Sequence, residues 1–391
     1  MGIYAFFILF ILLIAIPILD RSTGAFGADE CVRIKVIKDE SLKSFCRKHL
    51  ENPNLWPEIG RYNHLANFDL IHAGSYLMVP LKLQKGKPVQ GRVTFVKGEA
   101  FVRRNTTSGK KPLQIDDMIF TGDIITTGPQ SVVEVDFENR CTFYAYPQTQ
   151  VKVAVSEAKG LKYQVQRFVL VTGNIVTKVR SATGSASRTV IQTPYATSAV
   201  RGTHFRVAVH EEQSTTTEVL QGKVDVTAKG VKVALHEGQG TKVNKGHAPI
   251  APVKLLEPPT LGDTSRVFSE MPFRMTFTPV PGARHYRFQL SSDRDGKDVV
   301  RDTVIEPGAS LEFEKLDEGI YFLQGRSIDA IGLEGPFGEP RELTVRTKPA
   351  PPFIQQPSDG ALYRDKKIAF SWTKVADADR YEVQVSPEKE F

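Results

Sequence analysis

The chain has 391 residues, of which 41% are hydrophobic and 24% are charged, a composition typical of folded globular domains. These values exclude a low-complexity or disordered chain, and the length predicts several domains. The formal net charge is +7, but lysine and arginine are scattered without a long basic run. This pattern favours a solvated basic surface over a nucleic-acid interface, and it also fits attraction to other anionic polymers.

The N-terminal segment is apolar from Met1 to Leu19 and continues with polar and small residues from Asp20 to Ala28. We interpret residues 1–28 as a secretory signal peptide or an uncleaved N-terminal anchor. We favour cleavage because small residues lie three apart before Ala28, although no lysine or arginine precedes the apolar run. Either interpretation predicts an exported protein.

The three cysteines, Cys31, Cys46 and Cys141, fit no zinc or redox spacing. In an exported protein Cys31 and Cys46 could form a disulfide. Cys141 would then be a small buried hydrophobic residue. The sequence alone leaves this pairing open.

Residues 31–83 predict a small strand–helix–helix–strand domain. Apolar and polar residues alternate at the start of the module from Val32, as in a half-buried strand. Acceptor side chains before Leu42 predict the start of one helix. Pro57 in the turn after Trp56 predicts the start of another. A closing strand is predicted at 76–80.

This module resembles the LysM family, and the residues that carry the resemblance are Ser41, Leu42, Trp56, Ile59, Tyr62, Asn63, Leu65, Asn67, Leu70, Ile71, Gly74, Leu77, Val79 and Pro80. The resemblance implies binding of a glycan that contains N-acetylglucosamine, in this setting peptidoglycan, in a groove between two loops. The groove residues would be Asp39, Glu40, Ser41, Leu42, Leu65, Ala66, Asn67, Leu70 and Ile71. Asp39 stands where the family has a glycine, so we expect the first loop to bend differently. Trp56 is expected in the core.

Residues 88–257 form a long run of short predicted strands joined by turns, with no convincing amphipathic helix. A hairpin is predicted from Ser131–Phe137 and Thr142–Pro147. The stretch 193–207 indicates a strand that ends, a tight passage of small residues, and a strand that restarts. We expect a positive φ at Gly202 and a core position for Phe205. The predicted fold is a sandwich or a β-solenoid-like stack.

The stretch 193–207 resembles the signature of the FecR domain family, and the segments Gly122–Ile125 and Val219–Val224 also match family features. The resemblance implies an all-β domain that senses or docks a partner. The signature residues, expected to be structural, are Thr193, Pro194, Ala199, Val200, Arg201, Gly202, Thr203, Phe205 and Val207.

The C-terminal region contains an internal repeat, because Phe277, Val280 and Tyr286 recur as Trp372, Val375 and Tyr381. Proline-rich linkers separate one copy at 258–348 from a second at 352–391. The copies resemble immunoglobulin-like or fibronectin type III-like sandwiches, and their aromatic residues are expected in the core. The second copy lacks counterparts of residues after about 294. It is therefore expected to be a fragment of a longer chain or a segment that a partner completes.

No catalytic constellation is recognisable in the sequence. Glu134 and Asp136 lie two residues apart on one face of a predicted strand, which is more typical of a solvated face than of a catalytic pair. Ser198 lacks the glycines of a nucleophile elbow. We therefore expect no catalytic residue, no metal ligand set and no cofactor.

The sequence predicts a mainly β, multi-domain, non-enzymatic protein of the bacterial periplasm or cell envelope. Its expected partners are peptidoglycan and an envelope protein, without nucleic acid, and the membrane only through an uncleaved N-terminal segment. The alternative is a periplasmic signalling regulator that acts on a membrane partner. Direct control of a sigma factor is not expected, because only Met1 and Gly2 precede the apolar run. A cell-wall hydrolase would need catalytic groups that the sequence lacks.

Overall fold

The computed structural model describes residues 31–105, 109–138, 140–159, 163–180, 188–200, 202–262, 267–269, 271–347, 352–364, 367–375 and 378–387. The predicted signal segment 1–28 lies outside these ranges. The protein is mainly β, with 50% strand and 6% helix, which confirms the predicted fold class. Two compact units, Met1–Lys85 and Gly86–Phe391, divide the chain.

The N-terminal unit contains two antiparallel strands and two helices, together with 3₁₀ turns at Pro53–Leu55 and Leu81–Leu83. In chain order the elements are β1 (Cys31–Lys35), α1 (Leu42–His49), α2 (Trp56–Tyr62) and β2 (Tyr76–Pro80). The core contains Leu42, Phe45, Ile59, Leu77 and Val79, with Trp56 packed at its margin. None of the described helices in the protein is both long enough and apolar enough to cross a membrane.

The cysteines of this unit do not form the disulfide that the sequence left open. Cys31 Sγ lies 2.7 Å from Tyr62 Oη, and Cys46 is buried in the face of α1 that packs on the core. Burial raises the pKa of Cys46 to about 11, so this thiol stays protonated and acts as a small apolar residue. Cys141 is likewise buried in the next domain.

Residues 87–254 form a closed β-barrel, and its strands are numbered from β3. Its strands are β3 (Lys87–Pro88), β4 (Gly91–Lys97), β5 (Ala100–Arg103), β6 (Lys110–Pro112), β7 (Met118–Ile119), β8 (Ile124–Thr127), β9 (Val132–Phe137), β10 (Cys141–Ala145), β11 (Gln150–Lys159), β12 (Tyr163–Val179), β13 (Arg188–Gln192), β14 (Thr197–Val200), β15 (His204–His210), β16 (Ser214–Gln221), β17 (Lys223–Ala228), β18 (Val231–His236), β19 (Gln239–Asn244) and β20 (Val253–Lys254).

The barrel strands lie in two layers that share the long strand β12. The first layer has the order β6-β5-β8-β11-β12-β13-β14-β17-β18. The second has the order β7-β4-β9-β10-β12-β15-β16-β19-β20. Strand β12 passes from one layer to the other at Gly173, where φ is +86°. Alternate valine, isoleucine and phenylalanine side chains from both layers fill the space between them.

The chain continues into a sandwich over residues 260–345. Its strands are β21 (Thr260–Leu261), β22 (Val267–Phe268), β23 (Phe273–Met275), β24 (Phe277–Thr278), β25 (Ala283–Ser291), β26 (Val299–Ile305), β27 (Leu311–Phe313), β28 (Gly319–Asp329) and β29 (Arg341–Val345). The larger sheet has the order β22-β29-β28-β25-β26. Aromatic and aliphatic residues, including Tyr286 and Phe288, form its core.

The second C-terminal copy repeats one local contact of the first. Tyr286 Oη accepts a hydrogen bond from the Val280 amide at 2.6 Å, and Tyr381 Oη accepts one from the Val375 amide at 2.7 Å. Among the described residues of 352–387, however, the strands are only β30 (Ile354–Gln356) and β31 (Ser371–Trp372). Large apolar side chains are exposed around them.

Candidate functional site

Two loops leave the same end of the β1–β2 pair in the N-terminal unit. The end of the pair is fixed by the Val36 amide, which donates to Ser75 O at 2.8 Å, and by the Gly74 amide, which donates to Val36 O at 2.8 Å. The start of loop 36–41 therefore lies beside the end of loop 63–75. The other end of loop 63–75 lies beside the middle of β2, where Asn63 Nδ2 donates to Met78 O at 2.9 Å.

The first loop has the bend that a glycine would allow, although it contains none. Asp39 has φ +64°, a left-handed conformation that aspartate tolerates better than most residues. The Ile37 amide donates to Glu40 Oε2 at 3.1 Å, which closes the loop. Asp39 therefore adopts the left-handed conformation that glycine favours, and the expected difference in the bend of this loop stays a prediction.

Several predicted groove residues have structural tasks instead. Ser41 is the N-cap of α1, with its hydroxyl accepting from the Ser44 amide. Leu42 is 1% exposed, so its side chain cannot reach a ligand. Leu65 and Ile71 pack against the core. The predicted residue with the largest exposed apolar surface is Leu70, which is 60% exposed.

The remaining predicted groove residues, Ala66 and Asn67, are exposed. Asn67 Oδ1 accepts from the Asp69 amide at 2.9 Å, which stiffens its own loop. Sequence reasoning missed Ile37, which is 53% exposed in the opposite loop. The sequence signal for this exposed residue was an apolar side chain, Ile37, just after the alternating residues of β1.

The signature of the second domain forms a corner between the two barrel layers. Strand β14 belongs to the first layer and β15 to the second, and the chain passes between them at Gly202, with φ +63°. The neighbouring passage from β16 to β17 uses Gly222. A Cβ at Gly222 would lie 2.9 Å from Gly202 O. The backbones of these two adjacent corners therefore lie close together, which the absence of a side chain at glycine permits.

Other signature residues make side-chain hydrogen bonds at the two ends of β14. Thr193 Oγ1 accepts from the Ala196 amide at 2.9 Å and lies 2.9 Å from Thr215 Oγ1. Thr203 Oγ1 donates to Lys223 O at 2.9 Å. Val200, Phe205 and Val207 are buried in the barrel core, Ala199 is half-buried and Pro194 is exposed. Arg201 lies outside the described residues.

A straight row of paired residues crosses the outer face of the second layer. Successive ladder partners, from β9 to β19, are Glu134, Tyr144, Val176, Arg206, Glu218 and Gly240. The sandwich packs on this row. Lys297 Nζ lies 3.0 Å from Glu134 Oε2 at one end. At the other end, a Cβ at Gly240 would lie 3.1 Å from Leu333.

The centre of this contact is a buried group of charges. Arg206 Nε lies 3.3 Å from Glu218 Oε2, and Arg206 Nη2 donates to the carbonyl oxygen of Glu334. Arg287 Nη2 lies 3.2 Å, and Arg326 Nη2 2.5 Å, from the Glu334 carboxylate. Glu334 therefore contacts the barrel arginine Arg206 through its carbonyl oxygen and the two sandwich arginines, Arg287 and Arg326, through its carboxylate.

The charges of this cluster change its pKa values. Burial alone would raise the pKa of Glu334, but Arg326, Arg206 and Arg287 lower it to about 2. Burial raises the pKa of Glu218, and Arg206 opposes this only in part. Burial and the nearby Arg206 lower the pKa of Arg326 to about 10. Glu334 therefore stays ionised at neutral pH, and its negative charge stabilises the cluster.

The prediction that Glu134 lies on a solvated face was wrong. Glu134 is 8% exposed and accepts from Tyr144 Oη at 3.0 Å as well as pairing with Lys297. Asp136, further along β9, accepts from Thr142 Oγ1 at 2.7 Å. Among the described residues no group of three or more His, Cys, Asp or Glu side chains could hold a metal ion.

Comparison with known proteins identifies the central domain. Residues 123–225 match the model of the family described as FecR protein. This match runs from β8 into β17 and includes the signature corner and the row residues from Glu134 to Glu218. No curated protein matches the chain.

Two crystal structures of a candidate anti-sigma factor from Parabacteroides distasonis ATCC 8503, at 1.65 Å and 2.50 Å resolution, are similar to part of the chain. Each has 16% identity and a TM-score of 0.28, covering 34% of this chain and 59% of that protein. The FN1–FN3 domains of chicken CNTN1 have 8% identity and a TM-score of 0.20, covering 67% of this chain and all of that one. Scores this low do not establish a shared fold.

The signature corner and the family match fall in the same part of the barrel. The described residues of the signature corner pack the core or shape the turn between the layers. The central domain of this chain, at residues 123–225, is therefore a FecR domain.

Proposed function

We propose that the protein is a non-enzymatic signalling regulator of the periplasm or cell envelope, and that its FecR domain docks an envelope protein partner. The FecR match at 123–225 is the observation that carries this proposal. The family resemblance implies partner sensing or docking as the role of such a domain. The partner would be a membrane or envelope protein, and the chain itself would contact the membrane only through its N-terminal segment if that segment is uncleaved.

The sandwich indicates which face of the FecR domain is available. It covers the outer face of the second layer around Arg206 and Glu218. The outer face of the first layer, at β14, β17 and β18, carries Asp225, Thr227 and Lys232. Lys232 Nζ lies 2.7 Å from Asp225 Oδ2 there, at an exposed pair of little energetic value. Such a pair can exchange partners at low cost when another protein binds.

Site-specific photo-crosslinking in cells tests this proposal. A crosslinker at Thr227 of the full chain should capture a membrane or envelope protein, whereas the same group at Lys48 in the N-terminal unit should not. Asp225→Lys should reduce the yield from position 227. Equal capture from both positions, or no effect of Asp225→Lys, would contradict docking through this face.

A second function, glycan binding, is supported by the paired loops of the N-terminal unit. Loop 36–41 follows β1 and loop 63–75 precedes β2 at the same end of the strand pair, and the two loops expose Ile37 and Leu70. Apolar side chains can cover a sugar face, and backbone amides and carbonyls of loops can bond acetamido groups. We propose that this LysM-like unit tethers the regulator to peptidoglycan.

Sedimentation with insoluble peptidoglycan tests the tether. The full chain should pellet with the polymer and release no soluble fragments, since release would indicate a hydrolase. Leu70→Asp should leave the protein in the supernatant, while Ile115→Asp, at a similarly exposed residue of the other unit, should still pellet. Pelleting of Leu70→Asp at the level of the wild type would exclude the groove.

A further inference from the structure

A second row of paired residues, here called the first-layer row, crosses the outer face of the first barrel layer. Strand register joins one residue from each of nine neighbouring strands, from β6 to β18. In sheet order they are Lys110, Arg103, Ile124, Lys152, Val169, Gln192, Thr197, Thr227 and Lys232. Neighbours along the chain, such as Val102 and Ile191, are buried in the core, so the side chains of the row point outwards.

One half of the first-layer row is basic. Lys110, Arg103 and Lys152 lie on β6, β5 and β11. Arg167 lies two residues from Val169 on β12, so its side chain is on the same face of the layer. At about 4.8 Å per strand, the four cations lie within about 19 Å of each other across the sheet. No residue of the row carries a carboxylate, so this half of the face is positively charged.

None of these four cations has an ion-pair partner among the residues that the structure describes. Three of them are exposed, and Lys152 is half-buried. Glu157, which shares β11 with Lys152, pairs instead with Lys159 at 3.3 Å. Several unpaired charges of one sign on a face create a positive potential above it, and this potential attracts negatively charged groups.

Apolar side chains lie among these cations. Ile124 and Val169 flank Lys152 in the row and are half-buried, and Val171, further along β12, is 45% exposed. Arginine is one of the residues that are enriched at protein–protein interfaces. The whole row spans about 38 Å, which exceeds the side of a square patch of about 800 Å², the area that each partner contributes to a standard interface. The face therefore has the size and composition of a surface that binds another protein.

We propose, on the basis of the docking function proposed above, that the envelope partner of the FecR domain presents an acidic surface to this basic half of the first layer. Carboxylates of the partner pair with Arg103, Lys152 and Arg167, and its apolar residues cover Ile124 and Val169. Arginine binds a carboxylate through two parallel hydrogen bonds. Charge complementarity of this kind accelerates association and disfavours partners with a basic surface.

The proposed docking face at β14, β17 and β18 lies at the other end of the same row, which finishes at Thr227 and Lys232. There the Asp225–Lys232 pair presents both signs of charge. Asp225 can therefore bind a cation of the partner while the basic half of the row binds its carboxylates. The partner surface is acidic opposite β5 to β12 and mixed in charge opposite β17 and β18.

Fluorescence anisotropy of labelled peptides tests the charge of the recognised surface on the full chain. The probes alternate serine with glutamate, glutamine or lysine. The glutamate peptide should bind most tightly, and more weakly as the salt concentration rises, because salt screens exposed charges. Arg103→Glu combined with Arg167→Glu should weaken its binding about tenfold or more. Arg284→Glu combined with Arg294→Glu, at two exposed arginines of the sandwich, changes the net charge equally and should alter binding less than about twofold.

The same double variants test the partner itself in cells. Capture by the photo-crosslinker at Thr227 should fall about tenfold in the Arg103→Glu, Arg167→Glu protein and stay unchanged in the control variant. Capture that depends on Asp225 but not on the two barrel arginines would leave the docking face in place and reject the acidic partner surface. Capture that does not depend on Asp225 would contradict the docking face itself, and the acidic partner surface with it.

Each other outcome of the peptide assay overturns the proposal. Tightest binding of the lysine peptide, or no difference among the three peptides, excludes recognition of an acidic surface. Equal binding of the glutamate peptide by the wild type and the Arg103→Glu, Arg167→Glu protein excludes this half of the row. If that variant has a lowered melting temperature, Arg103→Gln combined with Arg167→Gln takes its place in the same comparison. Sedimentation with phosphatidylglycerol vesicles that the charge reversal abolishes, without binding of any peptide, would identify a lipid surface as the occupant and reject a protein.

Discussion

At the residue scale, Glu334 is the carboxylate at the centre of the buried charge cluster. Its carboxylate contacts Arg287 and Arg326, and its backbone contacts Arg206. Glu334→Gln keeps the shape but leaves buried arginines without their counter-charge, so we expect a loss of about 3–5 kcal/mol in the free energy of unfolding. Urea unfolding measures it. Glu342→Gln, at an exposed glutamate, is the matched control and should change the free energy of unfolding little. Equal stability of the wild type and both variants would show that Glu334 does not stabilise the cluster.

The same residue gives an acid dependence. Its folded-state pKa is about 2, below the ordinary value of 4.5, so its contribution is complete above pH 4.5 and is lost as the pH falls towards 2. The difference in stability between wild type and Glu334→Gln should shrink over this window. Glu218, whose pKa is raised by burial and further by the Glu334 charge, favours the folded state when protonated and acts in the opposite direction.

Asp39 offers a second test at this scale. Because its φ is +64°, a β-branched residue there should cost about 1–2 kcal/mol, whereas Asp39→Gly should stay within about 0.5 kcal/mol of wild type. Unfolding followed by Trp56 fluorescence, in a Trp372→Phe background, measures both. Asp69→Val in the other loop is the control for Asp39→Val. No difference between the valine variants would mean that the left-handed bend is not required.

At the scale of elements, the signature corner is a structural part of the FecR barrel. Phe205→Ala should cost about 3–5 kcal/mol, because the side chain is fully buried. Gly202→Val should cost about 1–3 kcal/mol through its positive φ. Thermal unfolding measures both changes. Melting temperatures equal to that of the wild type would show that the signature does not serve the fold.

The loop between β28 and β29 provides an independent test of how the sandwich is held. A Cβ at Gly335 would lie 2.1 Å from Leu256 O in the connecting segment, which is too close for any rearrangement of side chains alone. Gly335→Ala should therefore displace this loop and increase protease cleavage near Pro258. Gly109→Ala, where nothing lies within 4 Å, should be cleaved as slowly as the wild type. Unchanged cleavage in Gly335→Ala would contradict the contact.

The sequence could predict features that depend on the residue pattern within a single helix or strand. Alternation along β15 predicted Phe205 as core, and acceptor side chains predicted the start of α1 near Leu42. Arg206 was missed because its partner Glu334 lies 128 residues away, and only docking of the sandwich brings the two together. The burial of Glu134 was missed for the same reason. Its partner Lys297 lies in the sandwich, and the residue pattern of strand β9 does not indicate that contact.

At the scale of the whole molecule, the C-terminal copy differs from the first in its hydrogen bonding. The first has long paired strands, whereas the described residues of 352–387 contain only the short β30–β31 pair, with Phe353, Ile354 and Val385 exposed. We expect amides in 368–385 to exchange with solvent first and proteases to cleave there first. Hydrogen exchange measures this. Strong protection in a monomeric sample would mean that the segment pairs in a sheet not described above.

The shared strand β12 has a mechanical consequence for the barrel. Its 17 residues span about 56 Å at the usual rise of a strand, with one half in each layer. A pulling force applied to either layer is therefore carried along one covalent backbone into the other. Separation of the two layers, by sliding or by detachment of one of them, must therefore break the backbone hydrogen bonds of β12 on both sides of Gly173. Under tension the barrel should hold its length and then give way in a single rupture.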